Sequence, residues 1–250
     1  MFKGFYNLTS AMLSQGRRLD VVAHNMTNIS TVGFRGDRYT DSTFQDVLIS
    51  RVGNKNKAVS TEMGNETYIL APSQLYTDYT QGSLEETGLP LDFAIWGDGF
   101  FAVLRDGEVG YTRSGSFVLD DNGMLCLAGQ GQVLDREGQP IQLTTDHVYA
   151  DRTGAIYTEE GRNYLASLGV YSFPDTGELE RNDRGLFVGE GAQLSENSVI
   201  YQGRVERSNV NMVQEMVYMM TSQRAIQSAA QMSKLYDQIM TKATTELGRP

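Results

Sequence analysis

Apolar residues near the start of the chain recur in alternating steps of three and four. Phe5, Leu8, Met12, Leu19, Val22, Met26 and Ile29 share this seam, with Gln15 as its polar member, the heptad spacing of a helix that buries one narrow stripe. Asn7, Ser14, Arg17, Arg18 and Asp20 lie off the seam, so the helix is predicted to be polar away from its stripe. The pattern runs out at Ser30-Thr31-Val32-Gly33, where glycine can adopt the positive φ that ends a helix. The end of the chain repeats the design. Met212, Met216, Met219, Ile226, Ala230 and Met240 form a second heptad seam, interrupted by Gln223, Ser233 and Asp237. Ser208-Asn209-Val210-Asn211 offers several capping side chains before it. With no proline between Pro174 and Pro250, a helix from about Met212 to Thr244 is unobstructed.

Between these arms the period drops to two. Leu91, Phe93 and Ile95 alternate with Asp92 and Ala94, and Gly97-Asp98-Gly99 breaks the chain before Phe100 to Leu104. Phe117 and Leu119 lead through Asp120-Asp121-Asn122-Gly123 to Leu125 and Leu127, and Asn-Gly there predicts a tight hairpin with positive φ at both central residues. Further strands are predicted at Ile141 to Leu143, Val148 to Ala150, Ala155 to Thr158, Leu165 to Phe173, Leu186 to Val188 and Val199 to Val205. The fold class is α+β: long N- and C-terminal helices pairing as a coiled-coil-like unit, with a central antiparallel all-β domain. The predicted divisions are a helical arm over 1–39, an extended variable segment over 40–80, the β domain over 81–204 and a second helical arm over 205–250.

Composition supports this partition. Of 26 glycines, 19 fall between Gly82 and Gly203, which concentrates turns in the middle. The chain carries a net charge of -10, and residues 77–200 hold 7 basic against 21 acidic side chains. The acidity therefore belongs to the β region, and it argues against a nucleic-acid partner. An unbroken apolar run such as Phe100 to Leu104 is far short of a membrane span. The opening MFKGFYNLTSAMLSQGRRLD contains no apolar core of a cleavable secretory signal. A single cysteine, Cys126, and two histidines, His24 and His147, leave no basis for a disulfide framework or a multi-cysteine metal centre.

Several stretches invite chemistry but read better as structure. Asp120-Asp121-Asn122-Gly123 placed on a calcium loop would put Val118 and Gly129 at positions that need oxygen ligands. The Gly97-x-Gly99 and Gly129-x-Gly131 pairs lack the third glycine and the lysine of a phosphate loop. Glu85-Glu86 and Glu159-Glu160 could supply paired carboxylates for glycoside hydrolysis, yet adjacent acids in an acidic chain are ordinarily solvated. Cys126 on an alternating strand reads as a small hydrophobe, and His24 has only Asp20 as a local orienting acid. No catalytic residue, cofactor or metal is expected.

Ala23-His24-Asn25-Met26-Thr27-Asn28-Ile29-Ser30-Thr31-Val32-Gly33-Phe34-Arg35 resembles the N-terminal signature of the bacterial flagellar axial proteins. Gln81-Gly82-Ser83-Leu84, Thr87 to Asp92, Gly97-Asp98-Gly99-Phe100-Phe101 and Tyr111-Thr112-Arg113-Ser114-Gly115 are similar to the middle of the rod and hook subgroup. Ser208-Asn209-Val210-Asn211-Met212-Val213-Gln214-Glu215-Met216 resembles its C-terminal signature. The matches run in order across nearly the whole chain. His24, Met26 and Trp96 depart from the residues usual at their positions. The resemblance singles out Asn25, Asn28, Thr31, Gly33, Phe34, Gly97, Asp98, Gly99, Phe100, Phe101, Ser208, Asn209, Val210 and Asn211. It implies a structural subunit of the basal-body rod, located in the flagellar basal body outside the cytoplasm. Its implied partners are itself and other rod and hook proteins in a helical stack, and the flagellar export apparatus. A hook subunit is the alternative within the family, although hook subunits usually carry more chain between the arms. A secreted enzyme or binding module anchored by flagellar-type arms is the alternative from another class; it would need a concave pocket with converging polar groups.

Overall fold

The computed structural model describes residues 2–43, 46–52, 60–67, 70–158, 163–195 and 198–247. In chain order two helices flank a β-rich middle: α1 spans Phe2–Thr27 and α2 spans Met212–Leu247. Helix α1 stops at Thr27, not at Gly33. The Thr27 hydroxyl donates back to His24 O at 2.9 Å, and Thr31 N–H closes a turn on Asn28 O at 3.1 Å. Such side-chain and turn bonds compete with the helical ladder, and they leave Ile29 beyond the helix. Asn211 caps α2, its Oδ1 accepting from Val213 N at 3.0 Å and Gln214 N at 3.3 Å.

The chain groups into two compact units, one of residues 1–27, 37–76 and 211–250, the other of 28–36 and 77–210. In the first, α1 and α2 pack together in antiparallel sense, since Asn25 meets Glu215 while Gly4 lies against Tyr236. Strand Asp37–Thr43 packs on α1 and pairs with Leu70–Thr77. Strands Asp46–Val52 and Ser60–Thr67 form an antiparallel ladder from Asp46↔Thr67 to Val52↔Ser60. Among the described residues, the segment expected to be extended over 40–80 is thus largely hydrogen-bonded into strand pairs.

The second unit is organised by strand Phe100–Arg105. Along one edge it pairs with Glu108–Thr112; along the other, Gly131–Val133 meets its end and Val170–Ser172 its start. Alternation sends Phe101 and Val103 into a core with Phe93, Ile95, Leu125, Val133, Ile156 and Leu168. Phe100 turns to an aromatic cluster with Phe187, Tyr79, Tyr111 and Phe173. The tight hairpin lies at Asp106-Gly107, with φ of 54° and 86°, between the paired Arg105 and Glu108. At Asn122-Gly123 only Gly123 has positive φ, 74°, and the turn is wider, closed by Asp120 N on Met124 O at 2.9 Å. The run expected from Leu165 to Phe173 splits at Leu168-Gly169. Tyr164–Ser167 completes a three-stranded sheet with Val148–Ala150 and Ala155–Thr158, while Val170–Ser172 joins the larger sheet. Ile141 and Leu143 are buried in the core, but their segment makes isolated bridges instead of a strand.

Candidate functional site

The helices bury in opposite ways. On α1 only Tyr6, Thr9, Leu13, Arg17, Asp20, His24 and Thr27, with Phe5, are exposed among the described side chains, because α2 and strand Asp37–Thr43 both cover it. On α2 the covered positions are Glu215, Met219, Ser222, Ile226, Ala229, Ser233, Tyr236, Met240 and Ala243, with Ala230 beside them. That is an unbroken heptad, and it shares Met219, Ile226 and Met240 with the seam read from the sequence. The other expected positions, Met212 and Met216, stand exposed at 46% and 42%. On α1, Val22 is the most buried apolar residue, Leu8, Met12, Leu19 and Met26 are half-buried and Phe5 is exposed.

Polar side chains carry much of this packing. Ser14, off the expected seam, is buried and donates to Asp41 Oδ1, which sits beside the Arg18–Asp41 ion pair of 2.8 Å. Asn25 is buried and grips the backbone of Asp37 from both sides, Nδ2 donating to Asp37 O at 2.8 Å and Oδ1 accepting from Asp37 N at 2.9 Å. The same amide reaches Glu215 Oε1 at 3.4 Å. Burial raises the Glu215 carboxyl above the ordinary range, opposed by Asn25 and Arg38. Asn25→Ala strips both bonds from a buried backbone, and each unsatisfied group costs roughly 1–3 kcal/mol. The helical signal in a urea titration should therefore lose roughly 2 kcal/mol of stability; a change below about 0.5 kcal/mol would show the clamp to be dispensable.

Helix α2 leaves two apolar groups exposed, one over 212–220 and one over 232–239, with mainly polar exposed residues from Thr221 to Gln231 between them. Met212, Val213, Met216, Val217, Tyr218, Met220, Met232, Leu235 and Ile239 are all exposed, Val213 at 71% and Ile239 at 65%. Exposed apolar groups of this size mark interaction surfaces.

In the β-rich unit the motif residues converge on one buried carboxylate. Glu206, at the end of strand Arg204–Glu206, is 0% exposed, between Arg35 at 1% and Arg113 at 4%. Arg35 Nη2 lies 2.8 Å from Glu206 Oε1, Arg113 Nη1 lies 3.4 Å from Oε2, and Gly82 N donates to Oε1 at 2.9 Å. Burial pushes the Arg113 guanidinium down to about 10, with Arg35 adding to the depression and Glu206 opposing it; Arg35 is lowered by burial likewise. Arg113 Nη2 also donates to Gly97 O at 2.8 Å, and its guanidinium lies 5.2 Å from the Phe100 ring centre. Arg181 donates to Arg35 O at 2.7 Å and stacks 4.9 Å from the Phe34 ring.

Backbone bonds tie the same segments. Gly33 N donates to Glu206 O at 2.7 Å, and Asp78 N to Gly36 O at 2.8 Å. Asn209 is a strap, not a cap: Oδ1 accepts from Gly36 N at 2.8 Å while Nδ2 donates to Asp78 O at 2.8 Å and Thr80 O at 3.1 Å. Gly33 has φ of 69°, in a space that no side chain could share. Ser208 Oγ accepts from Val210 N at 3.3 Å, Asn28 and Thr31 join side chains in the turn after α1, and Asp98 O accepts from Ser198 Oγ at 2.7 Å. Gly99 and Phe101 pack in the β core, where a Cβ on Gly99 would lie 2.5 Å from Val170 Cγ1.

Arg35 and Arg113 stand inside the quoted motifs but were not singled out there, and Glu206 sits in Arg204-Val205-Glu206-Arg207, which reads locally as a solvated charge run. The residues weighed for chemistry have other engagements. Glu85 and Glu86 are ion-paired with Arg207 and Arg204, each at 3.5 Å. Glu159 and Glu160 lie outside the described residues. Burial and Asp120 raise the Cys126 thiol, which disfavours its nucleophilic form. His24 Nδ1 lies 3.9 Å from Asp37 Oδ2, and no helix among the described residues is long and apolar enough to cross a membrane.

Comparison with known proteins places this architecture. Residues 94–206 match the family described as flagellar hook protein FlgE/F/G D1 domain, and residues 201–246 match the flagellar basal body rod FlgEFG protein C-terminal family. The chain is 33% identical over 255 residues to the flagellar basal-body rod protein FlgF of Mesorhizobium japonicum, covering 99% of each. It is 29% identical over 246 residues to the flagellar basal-body rod protein FlgG of Buchnera aphidicola, covering 92% of this chain and 94% of the relative. It is also 28% identical over 272 residues to the flagellar hook-basal body complex protein FlhO of Bacillus subtilis, covering 100% of both. The likeness to the first and third of these spans nearly the whole chain. The chain belongs to the flagellar basal-body rod protein family, as a structural subunit of the rod.

Proposed function

We propose that this subunit polymerises through its paired terminal helices into a helical tube, the rod shaft that transmits motor torque to the hook. The observation that carries this reading is the pair of exposed apolar groups on α2, over 212–220 and 232–239. Burying half the area of its nine large side chains would contribute on the order of 10 kcal/mol before ordering costs are subtracted. A face that differs from the surface it meets on a neighbour makes a head-to-tail contact, and repeating that contact without closure builds a filament.

In this reading α1 and α2 pair as a coiled coil on the heptad of Met219, Ile226 and Met240, while Met212 and Met216 face neighbouring subunits. The arms are residues 1–27 and 211–250 with the strands of 37–76, and the β part is 77–210 with 28–36. The partners are further copies and other rod and hook proteins, reached by flagellar export to the extracytoplasmic basal body. The acidic β unit suits an outer surface that stays soluble.

Val213→Asp combined with Val217→Asp tests the proposal, because both side chains are exposed in the single chain, Val217 at 46%. The secreted monomer should keep its wild-type circular dichroism, while basal bodies end before the hook and motility is lost. Complete rods built from the double variant would sink the reading. Leu19→Asp and Met219→Asp should block assembly at an earlier stage, by separating the helices.

A further inference from the structure

We propose that the two apolar groups of α2 are the two halves of one contact between copies of this chain: the row Val213, Met216 and Met220 of one copy seats in the groove beside Met232, Leu235 and Ile239 of the next. The inference rests on the reading that the helix pair is the assembling element, and it adds which surface of that pair meets which. The groove lies within the helix unit, at the end of the pair where α1 begins. It has a volume of about 460 Å³ and runs between Leu8 of α1 and Met232, Leu235, Tyr236 and Ile239 of α2. Gly4 also lines it, where a Cβ would meet the Tyr236 hydroxyl at 3.0 Å. All six side chains of the two rows are exposed.

Spacing and direction together name a second copy as the occupant. Both rows step by three residues and then by four, about 10 Å of helix in each case, so the side chains of one can lie between those of the other along the whole contact. Met216 and Met220 each follow a covered residue by one place, Glu215 and Met219, and Val213 continues their row one turn earlier. Met232, Leu235 and Ile239 each precede a covered residue, Ser233, Tyr236 and Met240. One place is about 100° of rotation, which sets the rows on opposite flanks of α2. A chain therefore cannot fill its own groove. Two copies can, and because the surfaces differ the contact is head-to-tail and leaves a free row and a free groove at its ends. The unbranched methionine side chains of the row can adapt to the groove. The matching steps set Val213 against Met232, Met216 against Leu235 and Met220 against Ile239, an offset of 19 residues in each case, or roughly 29 Å along α2 from one copy to the next.

The test reads the register in assembled rods. Two differently tagged full-length chains, both with Cys126→Ser, are produced together in flagellated cells, one carrying Met216→Cys and the other Leu235→Cys. Isolated basal bodies are treated with a short bis-maleimide, and links between unlike tags are measured. The Met216→Cys and Leu235→Cys chains should link at least about fivefold faster than the displaced pair Val213→Cys with Ile239→Cys, and faster than two Met216→Cys chains by a similar margin. Links between two Met216→Cys chains that form as fast as the unlike ones would mean a symmetric contact and overturn the proposal. Rods that contain both chains without the unlike link overturn it too, because another rod or hook protein then fills the groove; the proposed function would stand. Should a cysteine keep its chain out of the rod, Met220→Cys with Ile239→Cys is read instead. Exclusion of these as well overturns the pairing, since a small apolar thiol should be tolerated at such a contact. Basal bodies that lack the unmodified chain would overturn the proposed function itself, and this contact with it.

Discussion

Replacing Glu206 with leucine should cost the β-rich unit roughly 3–5 kcal/mol, the usual penalty for breaking a buried ion pair and leaving its partner charge behind. Here two charges are stranded. Arg35 is 1% and Arg113 4% exposed, and Gly82 N loses its acceptor as well. For a domain whose whole stability is about 5–15 kcal/mol, that loss should be visible as a midpoint shift in urea and as reduced secretion-competent monomer recovered. Removing charge from all three positions together should cost less than the single change, because no uncompensated ion then remains. A Glu206→Leu protein with a wild-type midpoint would show that the arginines are served by other groups, Asp78 and Asp98 being the carboxylates that also act on Arg35.

Gly33→Val should be the second severe change, at about 3 kcal/mol or more. A Cβ built at Gly33 would lie 2.2 Å from Ser114 N and 2.4 Å from Arg113 C, and both are backbone atoms that cannot swing aside. The φ of 69° adds strain of about 1–3 kcal/mol for a β-branched residue. Relief requires moving either the turn or the Arg113 segment, and both movements disturb the ions around Glu206. Assembly should fail with it, since every subunit carries the same defect. Wild-type thermal stability and normal motility in this variant would remove the reason given for glycine here. Gly33→Ala separates the two terms: it keeps the clash with Ser114 but reduces the branched-chain strain, so it should be milder.

Much of the fold was legible in the chain. Heptad steps from Phe5 to Met26 and from Met219 to Met240 mark helices because a 3.6-residue repeat returns those side chains to one side. Alternation from Phe93 through Leu127 marks strands for the matching reason. The recurring signatures at Asn25 to Arg35, Gly97 to Phe101 and Ser208 to Asn211 identified the family, yet they said little about what each residue does. Asn209 looked like one of three possible caps and proved to be a strap, while Asn211 took the cap. Turn chemistry was read at Asn122-Gly123, but the two-residue turn formed at Asp106-Gly107, where two closely paired strands of similar length leave only two residues to reverse the chain.

By itself the sequence determined the two terminal helices and many of the central strands, that the arms carry apolar seams, and that the middle is acidic. These follow from local periodicity and composition, which need no knowledge of distant partners. Tertiary structure decided which side of α2 turns inward. Apolar residues lie both on the covered heptad and on its outer side, so periodicity could not choose between Met216 and Glu215; contact with α1 and the Asn25 amide did. It also decided the fate of Glu206. A carboxylate between two arginines in sequence reads as surface until the fold brings Arg35 and Arg113, 171 and 93 residues away, to its two oxygens. Charges can leave water only where their partners arrive together, and that meeting is a property of the folded chain.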